Sequence, residues 1–156
     1  MIKEFTIIDQ ITIRQAEIKD VERITNLSKQ LKYFVSQEQV EQRLAIIQNN
    51  DAHVVYVATL DVDNEYVVGW VHAYICDSIV IPAPAIILGL VVDKSYRRHG
   101  IGSYLMQQIE QWAFLVGCDS VMLNSNIKRK KKNLFYKKLG YFNIKQSLNF
   151  QKKLID

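Results

Sequence analysis

The stretch AIILGLVVDKSYRRHGIGSYLMQQIEQWA, residues 85–113, joins an apolar run, a glycine-rich turn and an amphipathic segment. Its first eight residues are apolar without alternation, as a strand covered on both faces requires. Gly89 within that run marks a bulge or a close backbone approach. Towards the other end, Leu105, Met106, Ile109, Trp112, Ala113 and then Val116 recur on one side of a helix, while Gln107, Gln108, Glu110 and Gln111 face away. Between strand and helix lies Arg97-Arg98-His99-Gly100-Ile101-Gly102-Ser103. Free backbone N–H groups converge at such a helix start, and glycines let an anion come close to the backbone. Arg97 and Arg98 add planar forks of donors that suit phosphate oxygens. A diphosphate is the expected ligand. Two other phosphate loops are excluded: no Gly-Lys-Ser/Thr is present, and Leu105 stands where a dinucleotide fingerprint needs a third small residue.

Upstream, Thr12-Ile13-Arg14 opens as an extended segment, and Val21, Ile24, Leu27 and Leu31 recur at helical spacing, with Glu17 and Asp20 suited to the positive end of the helix dipole. Ser36-Gln37-Glu38-Gln39 matches a capping box, so a second helix carrying Val40, Leu44 and Ile47 is expected up to Asn49. HVVYVATL from His53 and YVVGWVHAYI from Tyr66 are rich in β-branched and aromatic residues, and the polar segment Asp61 to Glu65 makes them a hairpin. Downstream, Gly117 ends the long helix with a left-handed cap, a strand follows at Ser120 to Ser125, and a basic helical segment runs to Leu139 before Gly140. Two further strands are expected at Tyr141 to Ile144 and Ser147 to Leu154. The order β, α, α, β, β, β, α, β, α, β, β predicts an α/β fold with a mixed sheet and helices on both faces.

The chain has 156 residues, which suits one domain over 1–156 with a sizeable core. The opening MIKEFTIIDQ carries acidic residues where a signal peptide is apolar, and no run approaches the roughly 20 apolar residues of a membrane helix. A cytoplasmic protein without a membrane partner is expected. Cys76 and Cys118 are too few for a disulfide framework and lack the paired spacing of a zinc site, so no metal is expected. The formal charge of +4 suits a phosphorylated cofactor, a nucleic acid or an anionic surface alike. Much of it sits in Lys128-Arg129-Lys130-Lys131-Lys132, read as a solvated helix face, a contact for the phosphate end of a cofactor, or an attraction for an acidic partner. No recognition motif accompanies that run, so nucleic acid is not an expected partner.

The segment LGLVVDKSYRRHGIGSYLMQQIEQWA resembles the acetyl-CoA motif of the GNAT superfamily of N-acetyltransferases, whose signature is Gln/Arg-x-x-Gly-x-Gly/Ala. Arg97, Gly100 and Gly102 occupy its three fixed positions. IRQAEIKDVERITNLSKQL is similar to the family's opening strand and helix, and NLFYKKLGYF to its closing FYxxLGF motif, so the resemblance spans nearly the whole chain. It implies a mixed, mostly antiparallel sheet splayed between its fourth and fifth strands, with the pantetheine arm of acetyl-CoA in the gap. It places the pyrophosphate on the amides of Arg97, Arg98, His99, Gly100, Ile101, Gly102 and Ser103, and an oxyanion donor near Leu90, Val91 and Val92.

The acetyl acceptor implied by the resemblance is a primary amine of a small molecule or peptide, attacking the thioester directly. Tyr136 stands at the family's tyrosine position, where a phenol protonates the departing thiolate; by spacing alone it is also a core aromatic. Many relatives carry a glutamate in the fourth strand, but Ile86, Ile87 and Leu88 are apolar, so a water chain or another base is required. His72 and Tyr74 alternate on the third strand and share a face, which makes them candidates for proton acceptor and positioning group; a satisfied strand histidine is the plain alternative. Asn126 suits either the pantetheine amides or a turn. Tyr33, Phe34 and Asp77 are candidates for the acceptor pocket wall. The resemblance allows a homodimer through the C-terminal strand. A non-catalytic acyl-CoA-binding regulatory module is the alternative that the missing carboxylate leaves open.

Overall fold

The computed structural model of the chain describes residues 6–61 and 65–156. The middle of the hairpin link expected between Asp61 and Glu65 and the first half of the MIKEFTIIDQ opening lie outside the described residues. Packing divides the chain into two compact units, one ending at Asn124 and the other covering Ser125–Asp156.

The first unit holds the sheet. Its strands are β1 (Ile11–Gln15), β2 (His53–Asp61), β3 (Glu65–Ile75), β4 (Ala85–Val92) and β5 (Val121–Leu123), in the spatial order of the chain. β1 to β4 are antiparallel, and β5 joins β4 in parallel after a helical crossover. Among the described residues of this unit, the α-helices are α1 (Val21–Ser28), α2 (Gln37–Gln48) and α3 (Ile101–Leu115).

Consecutive strand residues point to opposite faces, and β3 shows the two layers side by side. Trp70 packs with Val21, Ile24 and Leu27 of α1 and Leu44 of α2. At Gly69, on the other face, a Cβ would stand 3.2 Å from Leu105 of α3 and 2.9 Å from the Val91 carbonyl, so α3 lies close against the strand. Leu105, Met106 and Ile109 are fully buried, each worth roughly 1.5–3 kcal/mol of burial. The apolar stripe of α3 stops at Ala113. Val116 lies past the helix end and is exposed.

Local signals set the helix ends. Ser36 accepts from the Gln39 N–H (3.1 Å) while the Gln39 side chain accepts from the Ser36 N–H (3.1 Å), the capping box expected from the sequence. Asp20 does more than complement a helix dipole: both its oxygens are held by the Arg14 guanidinium at 2.7 and 2.8 Å, and the Glu17 N–H donates to it. This bidentate pair ties β1 to the start of α1.

β4 carries the irregularity that its glycine announces. Its register against β3 slips between His72 and Ala73, paired with Gly89 and Ile87, so Leu88 bulges out with no partner across the strand and is exposed. A Cβ on Gly89 would stand 2.7 Å from the Trp70 ring. The parallel pairing with β5 ends at Ile87 and Leu123. From Leu88 to Val92, a run of about 13 Å at the usual strand rise, β4 therefore has β3 on one side and no strand on the other among the described residues. This is the expected splay.

The second unit contains α4 (Lys130–Lys138), followed by Gly140 at φ +95°. The strands expected at Tyr141 to Ile144 and Ser147 to Leu154 are not formed: residues 141–156 have no regular secondary structure. Alternating Phe142, Ile144, Leu148, Phe150 and Leu154 supply an apolar face, yet all five are exposed. Alternation alone does not make a strand, because its backbone N–H and C=O groups need a neighbouring strand, and no ladder includes these residues.

Candidate active site

Gly100 is the N-cap of α3 at φ +86°, no side chain caps the helix, and its first turn has no acidic residue. The Tyr104 N–H bonds to the Gly100 carbonyl at 3.1 Å, so the N–H groups of Ile101, Gly102 and Ser103 precede the first intrahelical acceptor. A serine or aspartate cap would occupy one of these donors; glycine leaves them for an external anion. Arg98 (φ +69°), His99 and Gly100 are exposed beside them.

Arg97 is held differently from the sequence expectation. Its Nε donates to the Val92 carbonyl at 3.0 Å and its Nη2 reaches Gln30 Oε1 at 3.5 Å, so the side chain braces the turn against the end of β4. The rest of this bracing network joins Asp93, Lys94 and Ser95 to Arg23 and Gln30. Asp93 accepts from the Ser95 N–H (3.1 Å), Gln30 Nε2 (3.4 Å) and Arg23 Nη2 (3.0 Å), and Gln30 Oε1 accepts from the Lys94 N–H (2.9 Å). Arg23 also donates to the Val67 carbonyl and lies 4.2 Å over the Tyr66 ring. Burial by itself would raise the Asp93 carboxyl, but the Ser95 N–H, Gln30 and Arg23 together outweigh it and hold the carboxyl below its ordinary value. Asp93-x-Ser95 is a legible turn signal. Arg23 and Gln30 leave no local signal, because their partners lie 63 to 70 residues away.

Leu90, Val91 and Val92 lie on the part of β4 that faces the splay, with Leu90 and Val91 buried. His72 sits one pair from the Leu88 bulge, opposite Gly89. Its Nε2 is 3.0 Å from His53 Nδ1 on β2. The Tyr74 ring stacks on His53 with centroids 5.3 Å apart and planes inclined by 18°. Burial first, and then the charge of His53, depresses His72 to about 4, so it is neutral at physiological pH. The Cys76 thiol, hydrogen-bonded to the phenol, raises Tyr74. Tyr33 and Phe34 follow the left-handed Lys32 at the end of the α1 segment and are exposed, as is Asp77 in the loop after β3.

In the second unit Tyr136 is buried on α4, edge-on to Phe135 and Tyr141 at 5.2 and 6.2 Å. Burial raises its phenol above the ordinary value, more than Arg129 lowers it. Asn126 is a turn residue: its Oδ1 accepts from the Lys128 N–H (2.9 Å) and its carbonyl from Asn133 Nδ2 (3.1 Å). Lys128, Arg129, Lys130 and Lys131 are exposed, and α4 has no acidic residue in its first turn. Among the described residues no group of three or more His, Cys, Asp or Glu side chains is arranged to hold a metal ion.

Residues 20–141 match the acetyltransferase (GNAT) family, a span that takes in parts of both units. The chain belongs to the GNAT acetyltransferase family. A curated relative, an aminoglycoside N(6')-acetyltransferase type 1 of Acinetobacter genomosp. 13, is 29% identical over 70 residues, or 45% of this chain. The chain spans about half the length of that relative, 48%. Among solved structures, the aminoglycoside acetyltransferase AAC(6')-Iy, in complex with a bisubstrate analogue of coenzyme A, has a TM-score of 0.79 at 20% identity over 92% of this chain and 98% of its own. Glucosamine-6-phosphate N-acetyltransferase from Arabidopsis thaliana has a TM-score of 0.77 at 23% identity over 93% of this chain and 99% of its own. Both share the mixed, mostly antiparallel GNAT sheet with its covering helices.

Proposed function

We propose that the protein transfers the acetyl group of acetyl-CoA to a primary amine of a small molecule by direct attack in a ternary complex. The observation that carries this reading is the uncapped N-terminus of α3, placed shortly after a strand that from Leu88 to Val92 has no second strand beside it among the described residues. Backbone donors at Arg97 to Ser103 receive the pyrophosphate, and the pantetheine arm lies along the stretch of β4 beyond its pairing with β5, towards the bulge. The run from Lys128 to Lys132 puts positive charge at the positive end of the α4 dipole, a local cost that the phosphate end of acetyl-CoA would offset.

The attacking amine must be neutral, and an alkylamine of pKa about 10.4 is only about one part in a thousand neutral near pH 7. Its nitrogen attacks the thioester carbon, a backbone N–H of β4 near Leu90 to Val92 holds the oxyanion, and the carbon–sulfur bond then breaks. His72 accepts a proton from the nitrogen, and the Tyr136 phenol, kept protonated by its burial, gives one to the departing thiolate. Orientation of the two substrates supplies several kcal/mol more. Tyr33, Phe34, Tyr74 and Asp77 line the acceptor side. The names of the aminoglycoside acetyltransferase relatives support an amine on a polyhydroxylated cationic body.

No helix among the described residues is long and apolar enough to cross a membrane. Cys76 and Cys118 are both free thiols, which supports the reducing, cytoplasmic location we assign. The family match from 20 to 141 supports a single domain. The exposed alternating apolar residues from Phe142 to Leu154, which no strand ladder includes, support a homodimer in which a second copy supplies a strand neighbour. A panel of aminoglycosides, amino sugars, polyamines and amino-acid amides, assayed for release of the coenzyme A thiol, tests the acceptor class. Release with aminoglycosides or amino sugars supports it, and release confined to polyamines or amino-acid amides contradicts it.

A further inference from the structure

We propose that His53 is the outer member of a two-histidine proton relay, carrying the proton that His72 takes from the acceptor nitrogen to a polar groove at the edge of the sheet. This rests on the acetyltransfer reading and adds to it a residue, a direction and an exit.

The geometry begins at the bulge. His72, Val55 and Gly89 stand abreast on β3, β2 and β4, so the imidazole lies next to the point where the sheet opens. Its Nε2 is committed to His53 Nδ1 at 3.0 Å, which leaves Nδ1 as the nitrogen for substrate. Two rings at that distance share a single proton between their facing nitrogens; with both protonated, two N–H groups would point at one another. The Tyr74 ring stacked on His53 and the His53 backbone N–H bonded to the Asn50 carbonyl (3.0 Å) hold the outer residue in place.

His53 also lines a groove of about 380 Å³ with Gln15, Gln48, Asn50 and Asp51. These polar neighbours give water a path to the outer imidazole, while the inner one is partly buried. On β4, Gly89 lies opposite His72 and Ile86 opposite Tyr74. The titratable groups nearby are Tyr74 and Cys76 on β3 and Asp51 beside His53; the charge acting on His72 is that of His53.

A histidine depressed to about 4 stores a proton poorly, so His72 acts as a base only if it releases one as it gains one. A bond forms from the acceptor's proton to His72 Nδ1 while His72 Nε2–H passes its proton to His53 Nδ1. His53 Nε2–H then releases its proton to groove water. One proton leaves the amine, one enters the solvent, and neither ring holds a lasting charge. After product departs, water on both sides exchanges the protons back to the starting nitrogens.

Two measurements test this. In 15N-histidine-labelled protein, long-range NMR should show one hydrogen-bonded N–H between the rings and a His72 that stays neutral to below pH 5; a His72 that titrates near the ordinary value of 6.5 would overturn the relay. In the thiol-release assay, His53→Gln keeps a hydrogen bond to His72 but cannot pass a proton. Its kcat should fall by about 10- to 100-fold at unchanged KM for acetyl-CoA, with partial rescue by added imidazole at neutral pH. Unchanged kcat, or a loss that imidazole does not relieve, overturns the relay alone. No thiol release by the unmodified protein with any amine overturns the acetyltransfer reading, and the relay with it.

Discussion

Tyr136 and Gly100 are the two residues whose changes separate chemistry from binding. The Tyr136 hydroxyl is buried and stays protonated, so Tyr136→Phe removes a proton donor and little packing. Its kcat should fall by about 100-fold with the acetyl-CoA dissociation constant unchanged, read by steady-state kinetics beside calorimetry. An unaltered kcat would remove the acid role. Gly100 needs its left-handed backbone rather than its space: at φ +86° a side chain is strained, yet a Cβ would meet only Ile8, at an ordinary 3.7 Å. Gly100→Ala should therefore cost about 1–2 kcal/mol and weaken acetyl-CoA binding by about tenfold while leaving the fold intact. Binding at full strength would show that the turn does not hold the cofactor.

Among the elements, the turn between β4 and α3 depends on α1 and the segment after it. Asp93 is the hub, and its folded carboxyl lies below its unfolded value because Ser95, Gln30 and Arg23 prefer the anion strongly enough to outweigh burial. The stability this gives is fully present above the ordinary value near 3.8 and is lost as pH falls through the lower folded value. Denaturant midpoints of wild type and Asp93→Asn should therefore differ at pH 7 and converge on acidification into that window; a constant gap would contradict a role for the anion. The elements also differ in how far a sequence discloses them. β4, the Gly89 bulge, the capping box at Ser36 and the α3 N-terminus are written in local patterns of hydropathy and glycine. Arg23 and Gln30 reach the turn across long sequence separations, and a lone histidine opening a strand, as His53 does, gives no sign of the ring it will meet 19 residues later. Arg97 is legible as part of the motif, but its bond to the Val92 carbonyl depends on a backbone shape that the motif does not spell out. The C-terminal strands fail for the reverse reason: their alternation is legible, and the neighbour that would make them strands is absent from the ladder.

For the whole molecule, that tail is the largest departure from a self-contained fold. Phe142, Ile144, Leu148, Phe150 and Leu154 expose an apolar stripe that a solitary chain does not cover. Sedimentation should find a dimer for the full chain and a monomer once residues 142–156 are removed; a monomeric full chain would contradict the homodimer. Beyond assembly, everything proposed for the reaction requires that the stretch of β4 beyond its pairing with β5 and the uncapped start of α3 hold acetyl-CoA for transfer. The decisive experiment is titration of the purified protein with acetyl-CoA by calorimetry, followed in the same preparation by addition of the amine panel and quantitation of free thiol. Saturable one-to-one binding and thiol release that depends on the amine are the expected results; no binding, or binding without release by any amine, would contradict the proposed acetyl transfer.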